Sequence, residues 1–141
     1  MKISNLTFLN NHCSNDPKLV GEMLGLLIKH TPAHIDKLRY HIGISNWKYV
    51  REAAHDLKPS ITIMGMGKDY ETMGATIMEH AEKQEKLDEV QCLFTKLETG
   101  CGQAMKELNE ELDMINKGGA KPPGFSAKAI LLMASLLASF K

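Results

Sequence analysis

His55 and Lys58 are the two residues whose types and spacing best fit a chemical role in this 141-residue chain. They lie three positions apart in the segment Ala-Ala-His-Asp-Leu-Lys-Pro-Ser, which covers residues 53–60. On a helix, side chains at this spacing lie on the same face, about one turn apart. A neutral imidazole is a nucleophile, and a lysine ammonium attracts an incoming anionic phosphoryl group. The pair is therefore compatible with phosphoryl transfer to His55 beside a cation at Lys58. A surface histidine next to a lysine is more often simply solvated, so the spacing alone leaves both interpretations open.

The residues around His55 have the spacing of an amphipathic helix. Apolar side chains recur at alternating steps of three and four, the pattern of a buried helical seam, at Trp47, Val50, Ala54, Leu57, Ile61 and Met64. Residues off this seam form what we call the outward strip, which consists of Arg51, His55, Lys58, Pro59 and Thr62. We expect the outward strip to face solvent and to dock a partner protein, with Lys68 as a further neighbour.

The source of the phosphoryl group follows from what the sequence lacks. It contains no Gly-x-x-x-x-Gly-Lys loop, the segment with which many proteins bind nucleotide phosphates. The phosphoryl group would therefore come from another protein. The sequence also has no evident cluster of carboxylates that would hold Mg²⁺. We expect no metal and no cofactor on this chain, and any Mg²⁺ would be carried by the partner.

Four segments carry the apolar spacing of amphipathic helices, and none shows the alternation of a β-strand. The predicted helices cover about residues 16–42, 46–64, 68–83 and 85–116. Pro32 lies inside the first and predicts a kink there, or a break with Thr31 as a new cap. Gly100 and Gly102 lie inside the fourth, where they would permit close helix contact. Four helices joined by short turns predict an all-α, up-and-down antiparallel four-helix bundle with a kinked first helix.

The chain divides into two parts by composition. We assign residues 1–117 to the bundle domain and residues 118–141 to a C-terminal tail. The tail begins as a Gly/Pro-rich linker and ends in an extra short apolar helix, which is too short to span a bilayer. Three interpretations of the tail stay open: packing on the bundle or on a second copy, contact with a membrane interface, or no role at all. We accordingly expect a monomer, with a tail-mediated dimer as the alternative.

Charge and cysteine content narrow the function classes. Lys plus Arg and Asp plus Glu both number 17, so the formal net charge is zero. This balance argues against the broad basic surface of a nucleic-acid-binding protein. Three cysteines without Cys-x-x-Cys spacing, and the lack of an apolar segment after the N-terminus, favour reduced thiols in a cytoplasmic protein.

The segment that follows His55 resembles the signature of histidine-containing phosphotransfer (HPt) domains. The resemblance rests on His55, Leu57 and Lys58, on the small residue Ser60, and on the hydrophobic-glycine pair at residues 64–65. The predicted helix pattern and the domain size are also similar to those of the family. The resemblance covers about residues 16–116 and leaves the tail outside.

The resemblance implies a histidine phosphocarrier in phosphorelay signalling, not an enzyme with its own turnover. His55 would accept a phosphoryl group from an aspartyl phosphate on the receiver domain of a hybrid histidine kinase. It would then pass the group to the receiver domain of a response regulator. Lys58 would be the cation beside the phosphoryl group. Leu57 would anchor the helix in the core, and Gly65 would allow the turn to the next helix.

Pro59 departs from the family pattern, which usually has glycine four residues after the histidine. Proline has no amide proton to donate to the carbonyl of His55, and its ring pushes on that carbonyl. We therefore predict a local kink at the site. The departure bears on partner choice and transfer rate, and the role of His55 is unaffected.

Two other functions stay open from the sequence. A bundle that is never phosphorylated would dock a receiver domain without accepting phosphate. A metal-binding bundle is the third interpretation, because Glu52 and His55 have the spacing of ligands in di-iron carboxylate bundles, although a second such pair is missing. His30 and His34 have the spacing for a surface Zn²⁺ site, but Pro32 between them disturbs that geometry.

Overall fold

The computed structural model describes residues 3–117, 131–132 and 134–135. Five helices cover most of them: α1 (Thr7–His12), α2 (Pro17–Gly43), α3 (Trp47–Ile63), α4 (Lys68–Lys83) and α5 (Leu87–Lys117). Within these ranges no strand occurs. The predicted all-α class is therefore confirmed for the described part of the chain.

Helices α2 to α5 are the four helices that the sequence predicts, with ends that differ by at most two residues. Asp16 caps α2, and its carboxylate accepts a hydrogen bond from the amide of Lys18. The six-residue α1 was not predicted, because so short a segment shows no apolar stripe. It contributes Leu9, which is fully buried.

Helix α2 continues through Pro32, so the alternative of a break with Thr31 as a new cap is wrong. Proline removes only one hydrogen bond from the helix. Buried side chains on both sides of Pro32, including Leu27 and Ile35, pack into the same core and keep the two halves together. The kink at Pro32 stays a prediction.

The core lies between helices that contact one another. Helix α3 packs on α2 and α4, and α5 packs on the same two helices. The seam predicted for α3 is largely buried, with Trp47 half-buried at its start. All five helices contribute side chains that are fully buried, among them Leu9, Met23, Leu38, Val50, Ile61, Ile77, Leu97 and Leu108.

Gly100 confirms one of the two predicted close contacts between helices. A Cβ atom at this position of α5 would overlap with the ring of Tyr70 on α4. The same prediction for Gly102 is wrong for the described part of the chain, because a Cβ there meets none of its atoms within 4 Å. Gly100 therefore sets how closely α5 approaches α4.

An N-terminal strap, which we define as residues 3–6, ties two parts of the bundle together. The amide of Asn5 donates to the carbonyl of Met64 at 2.9 Å, at the turn between α3 and α4. The amides of Ile3 and Ser4 and the Ser4 hydroxyl donate to the carboxylate of Glu107 on α5. The strap therefore connects the end of α3 to α5.

The described residues of the tail are helical. Leu131 is 69% exposed, whereas Leu132 is half-buried and packs against the core. The predicted linker at residues 117–125 lies outside the described residues, except for residue 117, which ends α5. Among the helices of the described ranges, none combines the length and apolar character needed to cross a membrane.

Candidate functional site

The structure places the residues of the outward strip on α3, with one exception. Arg51 is exposed and His55 is 41% exposed at its side chain, while Lys58 and Thr62 are half-buried. Lys68, the first residue of α4, is exposed beyond the turn that follows α3. Four of the five strip residues therefore reach solvent, as predicted.

Pro59 is the exception, because it is buried. The prediction that it lies on an exposed strip is wrong. The residues that follow it, Ser60 and Ile61, are also buried, so three consecutive positions of α3 are covered. The apolar seam in the sequence indicates only which face of α3 packs on the core. It does not indicate that residues outside the seam, such as Pro59, are also buried. Helix α3 continues through Pro59, and the predicted kink remains untested.

His55 lies in a shallow surface depression of about 250 Å³ that it shares with Arg51, Glu52 and Asp56. Its Nδ1 atom is 3.8 Å from Oδ1 of Asp56. That carboxylate is therefore beside Nδ1, and Nε2 is the ring nitrogen farther from it. The depression combines one nucleophile, one guanidinium and two carboxylates at the protein surface.

Two residues of the strip are held by carboxylates on α4. The Nε atom of Arg51 is 3.8 Å from Oε2 of Glu82, near the end of α4. The hydroxyl of Thr62 donates to Oε1 of Glu71 at 2.9 Å, near the start of α4. The strip therefore runs along the side of α3 that adjoins α4, with His55 and Lys58 between the two links.

Asp56 faces the other neighbouring helix. Burial lowers the pKa of His34 on α2, and the negative charge of Asp56 acts on that pKa in the opposite direction. Asp56 is therefore close enough to α2 to interact with His34 as well as with His55. Sequence reasoning missed Glu71, Glu82 and His34 as neighbours of the site, because contacts between helices leave no local spacing signal.

The arrangement bears on the metal-binding interpretation. In the described ranges, no three side chains of the metal-ligating types are grouped closely enough to hold an ion. Glu52 and His55 line a surface depression, whereas a di-iron bundle needs its ligands inside.

The chemistry available at this site is that of an accessible imidazole on a rigid helix. The flanking residues Ala54 and Leu57 are buried at 1% exposure each, so α3 is fixed where it carries His55. Nε2 is the ring nitrogen away from Asp56, and Lys58 is the cation one turn further along α3. Such a site can accept a group from a partner that docks on the strip.

Comparison with protein-family models, curated proteins and solved structures finds no match to this chain. The resemblance to HPt domains therefore rests on the residues of the chain itself.

Proposed function

We propose that this chain is a phosphorelay carrier of the HPt type, in which His55 accepts and donates the phosphoryl group. The observation that carries the proposal is the accessible His55 imidazole, held on a helix anchored on both sides of it, within a segment that resembles the HPt signature. Lys58, at the spacing that this signature has, is half-buried one helical turn further along α3. The carrier would be cytoplasmic and monomeric, with no nucleic-acid partner.

The proposal includes an up-and-down antiparallel four-helix bundle formed by α2 to α5. Short connections at residues 44–46, 64–67 and 84–86 support it, because helices joined by short loops are usually antiparallel neighbours. Each consecutive pair of these helices is in contact, and α5 also contacts α2. These contacts form a closed ring of four helices, which is the pairing such a bundle requires.

In the proposed reaction, Nε2 of a neutral His55 attacks the phosphorus of an aspartyl phosphate on a receiver domain. A nitrogen–phosphorus bond forms as the bond from phosphorus to the aspartyl oxygen breaks, and the electron pair leaves with the partner's carboxylate. The ring becomes positively charged while Nδ1 keeps its proton. The Asp56 carboxylate, 3.8 Å from Nδ1, stabilises that charge. The reverse of these steps delivers the group to a second receiver.

The partners in this proposal are the receiver domain of a hybrid histidine kinase and that of a response regulator. Mg²⁺ would belong to the receiver, where it neutralises the phosphoryl oxygens during transfer. Lys58 would act from this chain on the same oxygens. Arg51, Thr62 and Lys68 would border the docking surface, and Pro59 would act from beneath it through its effect on the helix.

Phosphotransfer to a His55→Gln variant tests the proposal. We expect wild-type protein to take up acid-labile, base-stable phosphate from phosphorylated receiver domains, and we expect the variant to take up none. His30→Gln is the matched control, because His30 is an exposed histidine on α2. Transfer that persists in His55→Gln would contradict the assignment. Binding of receivers without transfer to the wild type would instead favour the docking module.

The Pro59→Gly variant tests the departure from the family pattern. Glycine restores an amide proton that can bond the His55 carbonyl, so we expect a several-fold faster transfer together with a change in helix content. Pro32→Gly is the control, since it also removes a proline from within a helix but lies on α2. Transfer rate and circular dichroism that stay unchanged in Pro59→Gly would exclude a functional role for the proline.

A further inference from the structure

Arg51 is a guanidinium that lies one helical turn before His55 and is held by a carboxylate on another helix. Its side chain is 46% exposed, and that of Glu82 is 65% exposed. Nε of Arg51 is the atom nearest Glu82, at 3.8 Å, which is too long for a direct hydrogen bond. Exposed ion pairs of this kind are weak. Glu82 therefore holds Arg51 loosely.

The charges that line the depression of His55 are unfavourable for a phosphoryl group as they stand, and Lys58 is not among the lining residues. Glu52 and Asp56 line the same depression as His55, and Glu82 on α4 lies 3.8 Å from Arg51. A phosphoryl group adds a charge of about −1.5 to −2 near neutral pH. Such a group on His55 would be repelled by the carboxylates of Glu52 and Asp56. The guanidinium in the depression, that of Arg51, is paired with a third carboxylate, that of Glu82.

We propose that Arg51 is a phosphate-binding residue that exchanges the carboxylate of Glu82 for the phosphoryl group on His55. This inference rests on the phosphocarrier function proposed above. Residues four apart on a helix have Cβ atoms about 5–6 Å apart, within the length of an arginine side chain. The planar fork of a guanidinium matches two phosphoryl oxygens. Glu82 is then the competitor that holds Arg51 while His55 is unphosphorylated.

Two opposite effects follow from this exchange. Arg51→Gln removes the ligand of the phosphoryl group and lowers the equilibrium occupancy of phosphate on His55. Glu82→Gln frees Arg51 and removes a repulsive charge, so it raises that occupancy. A charge-assisted hydrogen bond contributes about 1.5–3 kcal/mol, which corresponds to about tenfold or more in an equilibrium constant. We expect about a tenfold decrease in Arg51→Gln and a several-fold increase in Glu82→Gln.

Chemical phosphorylation with phosphoramidate measures this occupancy without a receiver domain. The histidine nitrogen attacks the phosphorus of phosphoramidate, the bond from phosphorus to nitrogen of the reagent breaks, and ammonia leaves. Ammonia is kept in excess so that the reaction reaches equilibrium. Peptide-resolved mass spectrometry then gives the ratio of phosphate on His55 to phosphate on His30, an exposed histidine that serves as an internal reference.

Matched variants separate phosphate binding from structural effects. Glu79→Gln is the control for Glu82→Gln, because it removes the same charge from α4 but breaks a pair with Lys83 instead of one with Arg51. Its occupancy ratio should stay at the wild-type value. Arg51→Lys keeps the charge and loses the fork, so it should recover only part of the ratio. The NMR signal of Arg51 Nε–H should shift on phosphorylation in the wild type and fail to shift in His55→Gln.

Failure of this inference and failure of the proposed function give different results. An unchanged ratio in Arg51→Gln, with receiver transfer to His55 intact, would overturn the role of Arg51 alone. A lowered ratio with no transfer from any receiver would keep Arg51 as a phosphate ligand and overturn the relay function. An equal rise in Glu82→Gln and Glu79→Gln would reduce the effect of Glu82 to general surface charge, which also overturns the inference.

Discussion

Replacing Gly65 with alanine is expected to destabilise the fold by about 3 kcal/mol. Gly65 has a φ of +66°, a left-handed conformation that costs a residue with a side chain about 1–2 kcal/mol. A Cβ atom there would also overlap with the carbonyl oxygen of Asn5 in the N-terminal strap. The strap would have to move, and the hydrogen bond from Asn5 to Met64 would be lost, at about 1 kcal/mol.

Two other glycines separate the two causes of this effect. Gly67 has a φ of +100° and a ψ of 169°, a conformation essentially limited to glycine, but a Cβ there would meet no atom of the described residues within 4 Å. Gly43 has no positive φ, and a Cβ there would likewise meet nothing within 4 Å among the residues that the structure describes. Urea unfolding should therefore show a large loss for Gly65→Ala, a loss from backbone conformation alone for Gly67→Ala and a small change for Gly43→Ala. A loss at Gly65→Ala no larger than about 1–2 kcal/mol, the cost of its left-handed backbone alone, would mean that contact with the strap contributes nothing.

Gly65 has one feature that the sequence predicts and one that it does not. The resemblance to HPt domains implies a glycine that allows the turn after α3, and the positive φ agrees with that expectation. The close approach of Asn5 was not predictable. The strap is a short polar segment whose hydrogen bonds are to residues distant in the sequence, and such bonds leave no periodic pattern.

The helices were predictable for a physical reason. Their apolar stripes must face a common core, and their ends carry capping residues such as Asp16 or glycine-rich turns. Helix α1 lacks a stripe because it has only six residues. Its single core residue, Leu9, has no partner in the local sequence that would reveal it.

The candidate site was predictable in its nucleophile and not in its surroundings. One step off a buried seam is enough to place His55 at the surface, where the structure has it. The burial of Pro59 and the pairing of Arg51 with Glu82 depend on how neighbouring elements lie around α3. Both features result from packing between helices, which the residue pattern of a single helix does not predict.

Glu107 is the second residue whose replacement should have a large effect, because its carboxylate is buried and anchors the N-terminal strap to α5. It is 4% exposed. It accepts hydrogen bonds from the amides of Ile3 and Ser4, from the Ser4 hydroxyl at 2.6 Å and from the Gln103 side chain. Desolvation acts to raise the pKa of Glu107, but the hydrogen bonds from Ser4 and Ile3 outweigh it and hold the pKa at about 2.

This depressed pKa predicts a loss of stability in acid. A carboxylate whose pKa is lower in the folded than in the unfolded chain stabilises the fold fully above the unfolded value, here about 4.5. The contribution is lost as the pH falls from about 4.5 towards 2. By linkage it amounts to about 3 kcal/mol near neutral pH. The wild type should therefore unfold at progressively lower urea concentrations across this range.

Glu107→Gln should lose about 2–3 kcal/mol at pH 7 and should show a flatter dependence of stability on pH between 4.5 and 2. The amide cannot titrate, and its NH₂ group presents donors to the donors of the strap. Glu110→Gln is the control, because Glu110 is an exposed carboxylate on the same helix. Ser4→Ala is made in the wild type and in Glu107→Gln, and the difference between its two effects on stability measures the coupling of the two residues. The destabilisation caused by Ser4→Ala should vanish once Glu107 is replaced. If Glu107→Gln keeps the acid dependence of the wild type, other carboxylates cause the acid unfolding. The contact between the strap and α5 would then contribute nothing to stability.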